Sequence, residues 1–248
     1  MIRGILFDKD GTLIDFDRVW VPASQKVITN CLSYYQCNID EYIQRLMSLI
    51  GIRGGKTTPD SLLAQKSIAE IVDTILVYLK DIPKTGQIDE KKIRNVMIRD
   101  YHSFSKELTD HDSMICDLHM LFSRLRERGL ILGIASQDDH TEIVDMAMRL
   151  GFFDQLAYIG GFGAVQQLKP DPEMAITFAK QNHLAVTEIA VVGDLPLDMQ
   201  FAKNSHCTGI GVRTGLATEA ELSPLADYVI ESVDNLPECI EKIEQVSK

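Results

Sequence analysis

The chain is poor in the features that mark several protein classes. It has one tryptophan and five cysteines in 248 residues. The cysteines (Cys31, Cys37, Cys116, Cys207, Cys239) are odd in number, widely spaced and never arranged C-x-x-C, so neither a zinc cluster nor a disulfide framework is supported. A reducing cytoplasm is the expected compartment. Positive charge is scarce: 25 Lys and Arg face 36 Asp and Glu, a formal net charge of −11. That balance argues against a nucleic-acid footprint. It leaves small phosphorylated substrates open, because a metal ion or a few placed cations can reverse the sign inside one site. No apolar run nears the roughly 20 residues a membrane helix needs. The opening MIRGILFDKD returns to charge too soon for a signal-peptide core, so neither membrane nor secretion is expected.

What is present is ordinary globular composition, 45% apolar and 25% charged, with ample mass for a core. Short apolar runs alternate with amphipathic stretches. The runs are Gly4–Phe7, Leu130–Ala135, Leu156–Ile159, Ile189–Val192 and, more weakly, Gly209–Val212 and Tyr228–Ile230. Runs apolar on both faces suit buried parallel strands. Between them, Ile115, Leu118, Phe122 and Leu125 share a helical face that Gly129 ends, and Ile143, Ala147 and Leu150 precede Gly151 likewise. Asp171-Pro172 opens a further helix, to about His183. The pattern predicts a doubly wound α/β parallel sheet.

One segment breaks the alternation. Val27–Leu32, Tyr42–Ile50, Leu62–Leu79 and Ile88–Phe104 read as helices, punctuated by Gly51, Gly54-Gly55, Pro59 and Pro83–Gly86. The expectation is an all-α insertion over residues 17–108, with residues 1–16 and 109–248 forming the α/β core.

Ligands of open α/β sheets bind beyond the carboxyl ends of the strands. Asp8, Lys9, Asp10, Gly11 and Thr12 follow the first run, Ser136 the second, Lys169-Pro170 the third, and Gly193, Asp194 and Asp198 the fourth. Four strand ends thus deliver acids, a hydroxyl and a lysine to one edge. Such a set suits magnesium-assisted phosphoryl transfer. Mg²⁺ wants six oxygens and is usually held by one or two carboxylates plus phosphate and water. Asp8 and Asp194 offer carboxylates, and the backbone carbonyl of Asp10 a third oxygen. A carboxylate nucleophile gives an aspartyl-phosphate, provided that cations offset the charge of the phosphoryl oxygens. Lys169 is the candidate cation and Ser136 the candidate hydroxyl donor. The Asp10 carboxyl is placed to protonate a leaving alcohol and then activate water.

DKDGTLID at Asp8–Asp15, IAS at Ile134–Ser136, KPDP at Lys169–Pro172 and GDLPLD at Gly193–Asp198 resemble, in order and separation, the four motifs of the haloacid dehalogenase-like hydrolases. The insertion sits where that superfamily's subclass I helical caps sit. The resemblance implies that Asp8 is nucleophile and Mg²⁺ ligand, Asp10 acid/base and carbonyl ligand, and Asp194 a ligand. It makes Asp198 a ligand through water or an acid behind the ligands. Ser136 and Lys169 are implied to hold the phosphoryl group, with Gln137 beside them where the family often has Asn. Because the family's dehalogenases lack the second acid of the first motif, Asp10 points to phosphate esters. A phosphoglycolate-phosphatase-like, Mg²⁺-dependent hydrolase of a small phosphorylated metabolite is the expectation, as a monomer or homodimer. A phosphomutase of the same fold and a non-catalytic binding protein are the alternatives.

Other features carry less. The Gly51–Thr57 stretch fails the spacing of a phosphate-binding P-loop, since three residues rather than four separate Gly51 from Gly55. It reads as a loop of the insertion, and by the resemblance Arg53 or Lys56 would meet the substrate's leaving group. Lys9 is expected to point away from the site, and Asp138 and Asp139 to cap a helix. The six histidines lack metal-ligand spacing, and Trp20 is expected to anchor the insertion or pack beside the cleft rather than contact substrate.

Overall fold

The first apolar run, Gly4–Phe7, forms strand β1 and is buried at every residue. A computed structural model describes residues 1–36, 38–80 and 89–246. After β1 come α1 (Phe16–Tyr34), α2 (Ile39–Leu49), β2 (Ile52–Arg53), β3 (Lys56–Thr57), α3 (Leu62–Gln65), α4 (Ile68–Leu79) and α5 (Glu90–Leu108). Helices and strands then alternate through α6 (Leu118–Glu127), β4 (Ile131–Asp139), α7 (His140–Arg149), β5 (Tyr158–Phe162), α8 (Glu173–Gln181) and β6 (Ile189–Gly193). The chain closes with α9 (Pro196–Asn204), β7 (Thr208–Val212), α10 (Glu219–Leu222), β8 (Tyr228–Ile230) and α11 (Leu236–Val246). Two compact units result: Met1–Asp15 with Asp110 onward, and Phe16–Thr109.

The first unit is the expected doubly wound sheet. Its six strands run parallel in the order β5-β4-β1-β6-β7-β8. All six apolar runs became strands. Leu6, Ala135, Phe178, Val191 and Phe201 belong to one buried cluster beside the sheet. The strand order turns back at β1, and such a reversal opens a crevice at the carboxyl ends. Several bounds differ from expectation; β5, for one, spans Tyr158–Phe162 rather than Leu156–Ile159. Strand β4 runs past Ser136 to Asp139, with its register broken between Ala135 and Asp139. Helix α6 starts at Leu118 rather than Ile115, because Asp117 caps it by accepting from Met120 N–H at 3.0 Å.

The second unit packs its helices around Val27, Leu46, Ile75, Leu79 and Tyr101. It is not all-α, which corrects the expectation from sequence. β2 and β3 pair antiparallel, Ile52 with Thr57 and Arg53 with Lys56. Gly54 (φ 57°) and Gly55 (φ 77°) hold the two central positions of the turn in the left-handed region. That requirement selects Gly-Gly in a two-residue hairpin. Asp17 on α1 anchors the hairpin by accepting from Thr57 N–H at 3.0 Å.

The single helix expected over Leu62–Leu79 is two. Lys66 is extended, and Ser67 begins α4 with a capping box. Ser67 accepts from Glu70 N–H at 3.3 Å, while Glu70 accepts from Ser67 N–H at 3.0 Å. The unit also takes one residue more at each crossing than the expected 17–108. Phe16 already belongs to α1, with its ring 6.1 Å from Trp20, and Thr109 N–H closes α5 on Ser105 O at 2.9 Å. The expected break at Pro83–Gly86, the expected helix start at Ile88, and Cys37 lie outside the described residues.

Ser67→Ala removes a helix cap and should lower the unfolding free energy by about 1 kcal/mol, with Ser67→Asp costing far less. Urea denaturation of the full chain measures both. Equal stability of Ser67→Ala and the parent would show that the box contributes nothing.

Candidate active site

Parallel register brings the expected acids together. Phe7, the last residue of β1, pairs with Ile134 of β4 and with Val192 of β6. Asp8 just past β1, Ser136 where the register of β4 breaks, and Asp194 just past β6 therefore lie at nearly one height on three adjacent strands. Asp8 N–H extends the ladder to Val192 O at 2.8 Å. The chain then turns sharply. Leu13 and Ile14 N–H both reach Lys9 O, and Gly11, at φ 82°, donates to Ile14 O at 2.7 Å.

At the centre is Lys169, its side chain 3% exposed. Its ammonium lies 2.6 Å from Asp8 Oδ1 and 2.6 Å from Asp198 Oδ1. The other oxygen of Asp198 accepts from Leu195 N–H at 3.0 Å, so this acid holds the first turn of α9 and Lys169 together. Asp194 Oδ2 accepts from Leu216 N–H at 2.9 Å, in the loop after β7. Its Oδ1 is buried without a hydrogen-bond partner. Oxygens of Asp8, Asp194 and Asp198 lie within 4.8 Å of one another, the one such acidic group found among the described residues.

Electrostatics follows from that count. With all three carboxyls ionised, one ammonium would leave two negative charges uncompensated where water is scarce. Burial pushes the Asp8 carboxyl up to about 7, against the pull of Lys169 and with the help of Asp198 and Asp10. Burial also raises Asp194 well above the ordinary range, reinforced by Asp8 and Asp198. Burial opposes the Lys169 charge, but Asp198 and Asp8 outweigh it and raise its pKa. An oxygen-only donor set with a charge deficit and an orphaned carboxylate oxygen fits a hard divalent cation such as Mg²⁺. Asp8, Asp194 and the Asp10 carbonyl are the residues that would hold it, with Asp198 behind them.

Ser136 is buried, and its hydroxyl accepts from Asp138 N–H at 3.2 Å. Gln137 does not end free at the strand tip; its amide donates to the Lys169 carbonyl at 3.0 Å and ties two site loops together. Arg53 lies exposed on β2 in the other unit, in register with Lys56. The histidines stay out of the acidic group; His119, for one, bonds Leu150 O at 3.2 Å and Gln155 at 3.1 Å between helices.

Lys9 departs from expectation. It does not point away from the site, and only 8% of it is exposed. Its ammonium lies 2.7 Å from Asp10 Oδ2 and 2.8 Å from Asp138 Oδ2. The strand ends at Phe7, so alternation no longer governs a side chain two residues on. Burial opposes the charge on Lys9, but Asp10 and Asp138 outweigh it and raise its pKa. Of the two acids expected as caps, only Asp139 caps α7, accepting from Thr141 N–H at 2.8 Å. Asp138 serves Lys9 instead. Sequence reasoning also missed the loop after β7, where Thr214 Oγ1 donates to Gly11 O at 2.8 Å. A paired Lys-Asp next to the first acid was the available signal for Lys9; the loop offered none, since its contact to Asp194 is a backbone N–H.

Residues 5–212 match the sequence model of the family described as Haloacid dehalogenase-like hydrolase. The chain is 24% identical over 241 residues to the phosphoglycolate phosphatase of Shigella boydii serotype 4, covering 95% of this chain and 91% of the relative. Among solved structures it is similar to a predicted phosphoglycolate phosphatase from Haemophilus somnus, with TM-score 0.69, 16% identity, and 96% and 98% of the two chains covered. It is likewise similar to β-phosphoglucomutase from Clostridium difficile, with TM-score 0.65, 16% identity, and both chains wholly covered. At those identities the structures speak for the fold alone.

Removing one member of a buried ion-pair group leaves charge uncompensated. Lys9→Met should therefore cost about 3 kcal/mol of unfolding free energy, and Lys9→Met with Asp138→Asn less than the sum of the singles. A double-mutant cycle in urea measures the coupling. Strict additivity would mean that Lys9 and Asp138 do not interact in solution.

Proposed function

The chain belongs to the haloacid dehalogenase-like hydrolase family, and we propose that it is a Mg²⁺-dependent phosphatase of small phosphomonoesters, phosphoglycolate among them. The observation that carries this reading is the shared Lys169 ammonium, 2.6 Å from both Asp8 and Asp198 beside the orphaned oxygen of Asp194. The arrangement pairs a nucleophile with a cation and leaves room in the charge balance for a second one.

In the proposed reaction an Asp8 oxygen attacks phosphorus as the bond from phosphorus to the alcohol oxygen breaks. The product is an aspartyl-phosphate on Asp8. The Asp10 carboxyl gives its proton to the leaving oxygen. It then takes a proton from the water that attacks the aspartyl-phosphate, releasing inorganic phosphate and restoring Asp8. Lys169 and the Ser136 hydroxyl neutralise and bind phosphoryl oxygens, and Gln137 keeps the Lys169 loop in place. When bound, Mg²⁺ supplies the positive charge that offsets the phosphoryl group against the incoming carboxylate. We assign Arg53 to the choice of leaving group, on charge and family resemblance. Among the described residues no helix is long and apolar enough to cross a membrane, and the cysteines are few and widely spaced in sequence. A reducing cytoplasm is the compartment we propose.

Phosphate release from phosphoglycolate, sugar phosphates, nucleotides and pyrophosphate tests the reading. Turnover should require Mg²⁺, vanish with EDTA, and fall by at least about 10⁴-fold in Asp8→Asn, as for loss of a nucleophile. Near-normal turnover by Asp8→Asn would remove Asp8 as nucleophile. Isomerisation of a sugar phosphate without phosphate release would move the assignment to a mutase.

Mg²⁺ binding should also depend on pH in a stated direction. Asp8, pushed up to about 7, is largely protonated below that pH, and a metal ligand must be deprotonated. Affinity should rise as pH increases through about 7, with protons released on binding below it. Calorimetry in two buffers of different ionisation enthalpy reads the proton count. A constant affinity and no proton release from pH 5.5 to 8 would contradict it.

A further inference from the structure

The loop after β7, residues 213–217, has no part in the steps above, yet it touches the site at three points. Leu216 N–H donates to Asp194 Oδ2 at 2.9 Å. Gly215 packs so close that a Cβ there would overlap the Asp194 carboxylate. A Cβ on Gly11 would overlap the same carboxylate. Asp194 is thus held between two glycine backbones, one oxygen taken and the other buried without a partner. The remaining contact joins those backbones: Thr214 Oγ1 donates to the Gly11 carbonyl at 2.8 Å.

A peptide unit is planar, so the Gly11 N–H and the Asp10 carbonyl point in opposite directions from one rigid plate. Ile14 O holds the N–H side of that plate at 2.7 Å. Thr214 holds the next plate through the Gly11 carbonyl. Together they set the direction of the Asp10 carbonyl and keep Gly215 against Asp194. We propose that Thr214 is a positioning residue for Mg²⁺, fixing two of its oxygen donors at once without touching the ion. The inference rests on the Mg²⁺-dependent reading above.

Calorimetric titration of the substrate-free full chain with MgCl₂ tests it, using the parent, Thr214→Val, Thr214→Ser, Gly215→Ala and Arg213→Gln. Thr214→Val should weaken Mg²⁺ binding by about 10-fold or more, the range found when partners of metal ligands are removed. Thr214→Ser keeps the hydroxyl and should restore parental affinity. Arg213→Gln breaks ion pairs to Glu219 and Glu231 on the outside of the same loop and should leave affinity unchanged. Thermal midpoints in EDTA show whether each variant is folded. If Thr214→Val does not fold, Gly215→Ala carries the same expected loss with the hydroxyl intact. Parental affinity in a folded Thr214→Val, or in Gly215→Ala in its place, overturns the inference and leaves the phosphatase reading standing. Equal weakening in Arg213→Gln also overturns it, since loop disturbance would then be the cause. Absence of Mg²⁺ binding by the parent overturns both.

Discussion

One buried ammonium has to satisfy more carboxylates than it can balance, and the site is organised around that shortage. Lys169 reaches Asp8 and Asp198 at equal distance, and Asp194 stands close by with an oxygen unused. Taking charges out of water is costly unless partners replace the lost solvation. Backbone amides supply part of that replacement, Leu195 for Asp198 and Leu216 for Asp194. What remains uncompensated appears as raised carboxyl pKa values at Asp8 and Asp194. A stable fold tolerates such a deficit when something else is meant to complete it. For the proposed phosphatase that completion would come from a divalent cation.

The sheet makes this crowding possible without special effort by the loops. Three parallel strands run in matched register, so Asp8 just past β1, Ser136 in the irregular end of β4 and Asp194 just past β6 converge by construction. Local turns then refine the convergence. The Gly11 turn folds the chain back to Lys9, and Lys9 in turn reaches the irregular end of β4 through Asp138. Cationic side chains therefore sit on both sides of the Asp8–Asp10 segment, Lys169 against the first acid and Lys9 against the second.

Much of this was legible in the sequence because it rests on simple periodicity. Runs apolar on both faces marked the strands, and the polar residues directly behind them marked Asp8, Ser136 and Asp194. Lys169 and Asp198 followed from motif order. The rest was hidden for identifiable reasons. The β2–β3 hairpin has two residues in each strand, too few for alternation to register. The break at Lys66-Ser67 lies inside a continuous apolar rhythm, so only the cap geometry reveals it. Asp138 and Asp139 are adjacent and both able to cap, and the bulged end of β4 decides between them. The loop after β7 acts through a main-chain amide and a missing side chain, neither of which leaves a mark in residue type.

The places where the insertion leaves and rejoins the α/β unit are tied to each other within that unit. Ile14 bridges Met114, Asp15 N–H donates to Ser113 O at 2.8 Å, and Ile115 N–H donates to Leu13 O at 2.9 Å. The excursion from Phe16 to Thr109 is therefore, in polymer terms, a closed loop hung on a stapled base. The entropy of closing such a loop grows only with the logarithm of its length, about 0.6 kcal/mol for each doubling. Inserted material can lengthen, shorten or be exchanged at almost no cost to the acids on the other side of the staple. A scaffold built this way can keep one acidic cluster while the inserted unit drifts.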